Sequence, residues 1–150
     1  MTPEEISANL SLKPEISWMV GTQRKTPQGR LLEGYYESTY WCFNLEENQY
    51  IGLAEALETF TNNLEAYKNL FIHIRSTGGR IEYFIGWFAD LNSGEIFNYQ
   101  FLSKLADLQI DISLDIYSSN ADFPAPCGTA DGVEVIDVDL YFLPDDQPMT

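Results

Sequence analysis

The chain has 150 residues, 8 Lys plus Arg against 23 Asp plus Glu, and a formal net charge of −15. That length fits one domain burying about 70% of its unfolded surface, enough for a core without metal or disulfide staples. With 45% apolar and 14% aromatic residues it is not a disordered acidic polymer, and its charge argues against binding phosphate backbones, which takes Lys and Arg to displace counterions.

Thr2-Pro3-Glu4-Glu5 has the pattern of a helix start. The Thr2 hydroxyl can accept from the Glu5 amide, Pro3 loses no needed donor in the first turn, and Glu5 can reach back to cap. The predicted helix buries Ile6 and Leu10 and stops near Leu12, because Pro14 disfavours helical geometry at Lys13. From Glu15 to Gly34 the pattern is irregular. Within it, Thr22 to Arg30 carries Arg24, Lys25 and Arg30, with Pro27 and Gly29 marking a turn, and reads as a mobile basic loop.

Gly34 to Leu45, rich in β-branched and aromatic residues, reads as one strand. Leu53, Leu57, Phe60, Leu64, Tyr67, Phe71 and Ile74 then recur at spacings of four and three, which predicts a long amphipathic helix over 52–77, ended by Gly78-Gly79. Arg80 to Phe88 is apolar on both side-chain rows and predicts a central strand. Asn92-Ser93-Gly94 suggests a hairpin turn into a strand over 95–98, followed by a helix from about Tyr99 to Leu108. Strict alternation predicts a half-buried strand over 110–117. Ser118 to Gly132 reads as a loop, Val133 to Leu143 as a further alternating strand, and Pro144 to Thr150 as a polar tail.

In order, these elements give βαββαβ. The expected fold is α+β and ferredoxin-like, an antiparallel sheet with helices on one face, plus an N-terminal helix and an extra C-terminal strand. The acidic N-terminus lacks the pattern of a secretory signal, and the densest apolar stretch, Ile81 to Leu91, is interrupted by Gly86. No membrane association and a cytoplasmic location are therefore expected. Cys42 and Cys127 are the only cysteines and are expected to stay reduced.

Several local patterns resemble those of the bacterial domain-of-unknown-function family numbered 4279. They are Pro3-Glu4-Glu5-Ile6 through Leu10-Ser11-Leu12-Lys13-Pro14, then Trp18-Met19-Val20-Gly21, and the long helix beginning near Leu53. The last is Leu102-Ser103-Lys104-Leu105-Ala106-Asp107-Leu108 running into Leu114-Asp115-Ile116-Tyr117. The resemblance covers residues 2–118, leaving 119–150 as an acidic loop, strand and tail of the same single domain. It implies an α+β fold and carries no activity. Members of that family usually open with a strand; either Val133 to Leu143 fills its place or the true start codon lies upstream, and Gln109 stands where a helix-ending glycine is common.

Catalytic and metal chemistry find little footing. His73, the single histidine, has no nucleophile or orienting carboxylate placed beside it by any motif, and reads as a partly exposed structural residue. There is no C-x-x-C, and Asp131 to Asp139 lacks calcium-loop spacing. Gly78-Gly79 ends a helix, the wrong polarity for phosphate. Neither a cofactor nor an enzymatic activity is expected. The aromatics Trp18, Trp41, Trp87, Tyr35, Tyr36, Tyr40, Tyr83 and Phe84 are read as core before surface patch.

The acids are unevenly spread. From Leu105 onward there are ten and no Lys or Arg, so that segment carries −10 of the −15. If the two late strands are neighbours, Asp111, Asp115, Asp137 and Asp139 form one acidic surface, and Glu134 is expected to join them in partner binding. Such a surface either protects a sheet edge or complements a basic protein partner. The function expected is non-enzymatic binding of a basic protein, most concretely an immunity protein neutralising a bacterial toxin such as a nuclease. The alternative is a small-ligand-binding or regulatory domain using the aromatic sheet face.

Overall fold

The computed structural model describes residues 1–45, 52–89, 94–118 and 132–142, with backbone alone over 88–89, 118 and 132–142. The fold is α+β. In chain order the elements are α1 (Pro3–Leu10), β1 (Ile16–Trp18), β2 (Gln23–Lys25), β3 (Leu31–Tyr35) and β4 (Thr39–Asn44). They continue with α2 (Leu53–Leu64), a 3-10 turn (Glu65–Tyr67), α3 (Lys68–Ser76), β5 (Arg80–Ala89), α4 (Tyr99–Leu108), β6 (Asp111–Ser118) and β7 (Gly132–Phe142).

The start of α1 forms as its residue types dictate. Thr2 Oγ1 accepts from the Glu5 amide at 3.2 Å, and the Thr2 amide donates to Glu5 Oε2 at 2.7 Å. Two otherwise orphaned donors are satisfied, which stabilises such an end by about 1 kcal/mol. Ile6 and Leu10 are buried beneath the helix, and Ser7 Oγ accepts from the indole Nε1 of Trp41 at 2.9 Å.

The stripe from Leu53 to Ile74 faces the core as its spacing requires, but not on one continuous helix. The 3-10 turn separates α2 from α3. The buried residues stay in phase across it, because three tighter residues change the rotation only slightly. Gly78 at φ +81 supplies the left-handed step after α3, and the Gly79 amide closes onto the Ile74 carbonyl at 2.9 Å.

Five strands form one sheet in the order β1-β4-β7-β5-β6. All neighbouring pairs are antiparallel except β5 and β6, which run parallel through the α4 connection. This differs from the ferredoxin-like expectation. Residues 95–98 form no strand, so β5 passes through α4 to an adjacent parallel strand instead of into a hairpin. β7 lies centrally, between β4 and β5.

Two further expectations are corrected. The segment read as a mobile basic loop is the β2–β3 hairpin, closed by Thr26 and Arg30 and by Gly29 at φ +83. Its side chains are mostly exposed, so no apolar alternation announces it. The strand expected over 34–45 is split between β3 and β4, with Gly34 at φ +88 where the chain leaves β3. The predicted turn at Asn92-Ser93, the loop over 119–131 and the tail from Pro144 lie outside the described residues, as does Cys127.

One face of the sheet carries the core. Trp41, Ile81, Tyr83 and Ile85 meet Ile6, Leu57, Phe60, Phe71 and Ile74, with Phe101, Leu105 and Leu108 from α4. By strand alternation, Tyr40, Cys42 and Glu82 belong to the opposite face.

Candidate functional site

The face away from the helices carries Asp111, Asp115 and Glu82, and its geometry starts from strand register. β6 and β7 are not neighbours, because β5 lies between them. Glu82 on β5 is level with Asp111 on one side and Asp139 on the other, while Phe84 is level with Ser113 and Asp137. Asp115 is level with Gly86. The backbone therefore brings acidic positions from three strands into adjoining rows. Asp137 and Asp139 are placed by backbone register alone, whereas Glu134 falls at the register shift between Val133 and Val135 and is not brought into these rows.

Glu82 was not singled out from the sequence, yet among the described residues it is the buried acid of this face, at 4% exposure. Its Oε2 accepts from Arg80 Nη2 at 2.5 Å and from Ser113 Oγ at 2.7 Å. A charged carboxylate is held out of water only where a cation and hydrogen-bond donors replace its hydration. The available signal was Arg80-x-Glu82 inside an otherwise apolar strand, since residues two apart share a face.

Asp111 is exposed but occupied. Its Oδ2 lies 2.8 Å from Arg75 Nη2 and 3.6 Å from Arg80 Nε. Arg75 also donates from Nε to the Gln109 carbonyl at 2.8 Å and from Nη2 to the Ile81 carbonyl at 3.1 Å. One guanidinium thus ties the end of α3 to β5, to the exit of α4 and to the first residue of β6. Asp111 is part of that structural clamp as well as of the acidic face.

Asp115 accepts from the Tyr117 hydroxyl. That hydrogen bond, followed by desolvation and the charge of the same carboxylate, raises the Tyr117 pKa above its ordinary value. The negative Asp115 favours the protonated phenol.

The aromatics expected in the core are there only in part, since Trp18, Tyr36, Phe84 and Trp87 are partly exposed. Trp41 and Tyr83 are fully buried, and Tyr40 is buried at the sheet's other face. Trp18 stacks between Tyr36, at 4.7 Å between ring centroids, and Tyr40, at 4.2 Å. These rings satisfy one another, while Tyr35 stays exposed. His73 is exposed near the end of α3.

Among the described residues, no group of three His, Cys, Asp or Glu side chains is arranged to hold a metal ion. No described helix is long and apolar enough to cross a membrane. The site is therefore a charged, hydrogen-bonded sheet face. Its described acidic side chains are Glu82, Asp111 and Asp115, and the β7 backbone sets positions 137 and 139 level with Phe84 and Glu82. No known protein family, curated protein or solved structure matches the chain.

Proposed function

We propose that this protein is a non-enzymatic binding module that holds a basic protein through its acidic C-terminal half. The most concrete form is a cytoplasmic immunity protein that neutralises a cationic bacterial toxin, such as a nuclease. A nuclease must itself present positive charge to hold nucleic acid. An acidic protein that covers that surface competes directly with the substrate, and its field speeds the encounter.

The observation that carries this reading is the charge asymmetry: ten acids and no Lys or Arg from Leu105 to the end. Asp115, Glu134, Asp137 and Asp139 are the residues proposed to meet the partner. Asp111 contributes to the field but is already engaged by Arg75 and Arg80.

The test is co-expression with the product of the neighbouring reading frame, followed by co-purification and association kinetics. A joint Asp115→Asn, Glu134→Gln, Asp137→Asn and Asp139→Asn variant is expected to associate about tenfold more slowly and to lose most of its salt dependence. Unchanged affinity in that variant, or no complex with the wild-type chain, overturns the reading.

A further inference from the structure

β6 ends the sheet, and among the described residues no strand pairs with its outer side. Proteins usually protect such an edge with charged side chains, lysine above all, or with proline or a bulge; the charges of β6, Asp111 and Asp115, both lie on the row facing away from the helices. β6 carries neither lysine nor proline, and its pairing with β5 runs without a register shift from Asp111 to Ser118. Its two side-chain rows differ in chemistry. Toward the helices, Ile112 is partly buried, but Leu114 and Ile116 are 48% and 70% exposed. The sequence pattern predicted burial for this row; the helical layer does not cover its far end. On the other face the row is Asp111, Ser113, Asp115 and Tyr117.

We infer that the β6 edge is a strand-addition site for an extended, basic segment of a partner protein, one alternating Lys or Arg with apolar residues. This rests on the basic-partner reading above and specifies how the partner is held. Backbone hydrogen bonds to the outer edge supply register-independent attraction, and alternate side chains supply selectivity. Apolar residues of the added strand lie beside Leu114 and Ile116, and basic residues lie beside Asp115. Directly opposed side chains on adjacent strands approach to about 5 Å, close enough for both contacts. Charge selects against the obvious competitor, a second copy of this chain. Pairing β6 with β6 brings together two molecules of net charge −15 and sets aspartates near aspartates.

The experiment uses the full chain and three strand-length peptides: lysine alternating with valine, glutamate alternating with valine, and lysine alone. Binding is followed by fluorescence anisotropy, and the backbone amides of β6 by hydrogen exchange. The lysine–valine peptide is expected to bind about tenfold more tightly than lysine alone and to weaken at high salt. It is also expected to protect alternate amides between Ile112 and Tyr117. Ile116→Asp, a change at an exposed position, is expected to reduce its binding to the level of lysine alone. If both cationic peptides bind equally and β6 amides stay unprotected, the strand-addition site is overturned while the basic-partner reading stands. Failure of every peptide, or equal binding of the glutamate–valine peptide, overturns the site as well. Protection of β6 that depends only on protein concentration assigns the edge to self-association instead and overturns it.

Discussion

Thr61 on α2 and Tyr83 on β5 meet through their hydroxyls at 2.7 Å, inside the core, where both residues are fully buried. This bond crosses from the helical layer to the sheet, and it is the reason a phenol is tolerated there. Tyr83→Phe leaves the Thr61 hydroxyl without this partner and is expected to lose about 1–3 kcal/mol in urea denaturation. Thr61→Val should cost a similar amount. The double variant should lose less than the sum, because both polar groups have then been removed. Strict additivity would show that the two hydroxyls do not depend on each other.

The same tyrosine carries a pH dependence. Burial raises its pKa well above the ordinary value, and the Thr61 hydrogen bond opposes that rise only in part. The folded chain therefore keeps the Tyr83 proton in a range where the unfolded chain, with a phenol pKa near 10, has lost it. Stability from this group is complete below about pH 10 and declines above it, by at most about 1.4 kcal/mol per pH unit. Denaturation from pH 8 to 11 should show that decline in the wild-type chain and a shallower one in Tyr83→Phe. Parallel curves would be the contrary result.

Arg80 and Glu82 form an ion pair with unequal partners. The arginine side chain is 54% exposed and the carboxylate 6%. Arg80→Ala strands a buried charge with Ser113 as its remaining described donor and is expected to cost about 2 kcal/mol. Glu82→Gln leaves an arginine that water can solvate, and is expected to cost under about 1 kcal/mol. Thermal or urea melts of the two variants decide it: the reverse order would place Glu82 in contact with water.

Gln109 follows α4 at φ +58, in the left-handed region, where side chains are disfavoured. Its carbonyl accepts from Arg75, a contact that does not require its side chain. Gln109→Gly keeps that bond and removes the strain. A gain of about 0.5–1 kcal/mol is expected after the entropy of the unfolded glycine is offset. A loss in urea denaturation would mean that the amide side chain holds something more valuable than the backbone relief.

Local chemistry was legible in the residues and distant chemistry was not. The Thr2–Glu5 cap and the stripe from Leu53 to Ile74 depend on partners within a few turns, so spacing alone revealed them. The 3-10 turn at Glu65–Tyr67 escaped notice because it preserves the phase of that stripe. The β2–β3 hairpin buries little, which removes the alternation by which strands are recognised. In the site, Asp111 stood out as a charge, but its arginines lie 36 and 31 positions earlier in the chain and no periodicity joins them. The central place of β7 has the same origin: its pairings with β4 and β5 join residues at least 93 and 44 positions apart, and alternation identifies a strand without naming its neighbours.

That central strand also sets an order of events during synthesis. β4 and β5 emerge from the ribosome long before β7, and each waits with an open edge until residues 132–142 have cleared the exit tunnel. The middle of the sheet is thus its last part to be made. Pairings across such long chain separations are slow to form, and the waiting edges are sticky. A nascent chain halted before Gly132 should be a client for chaperones, whereas emergence of β7 lets the two halves of the sheet close in one step.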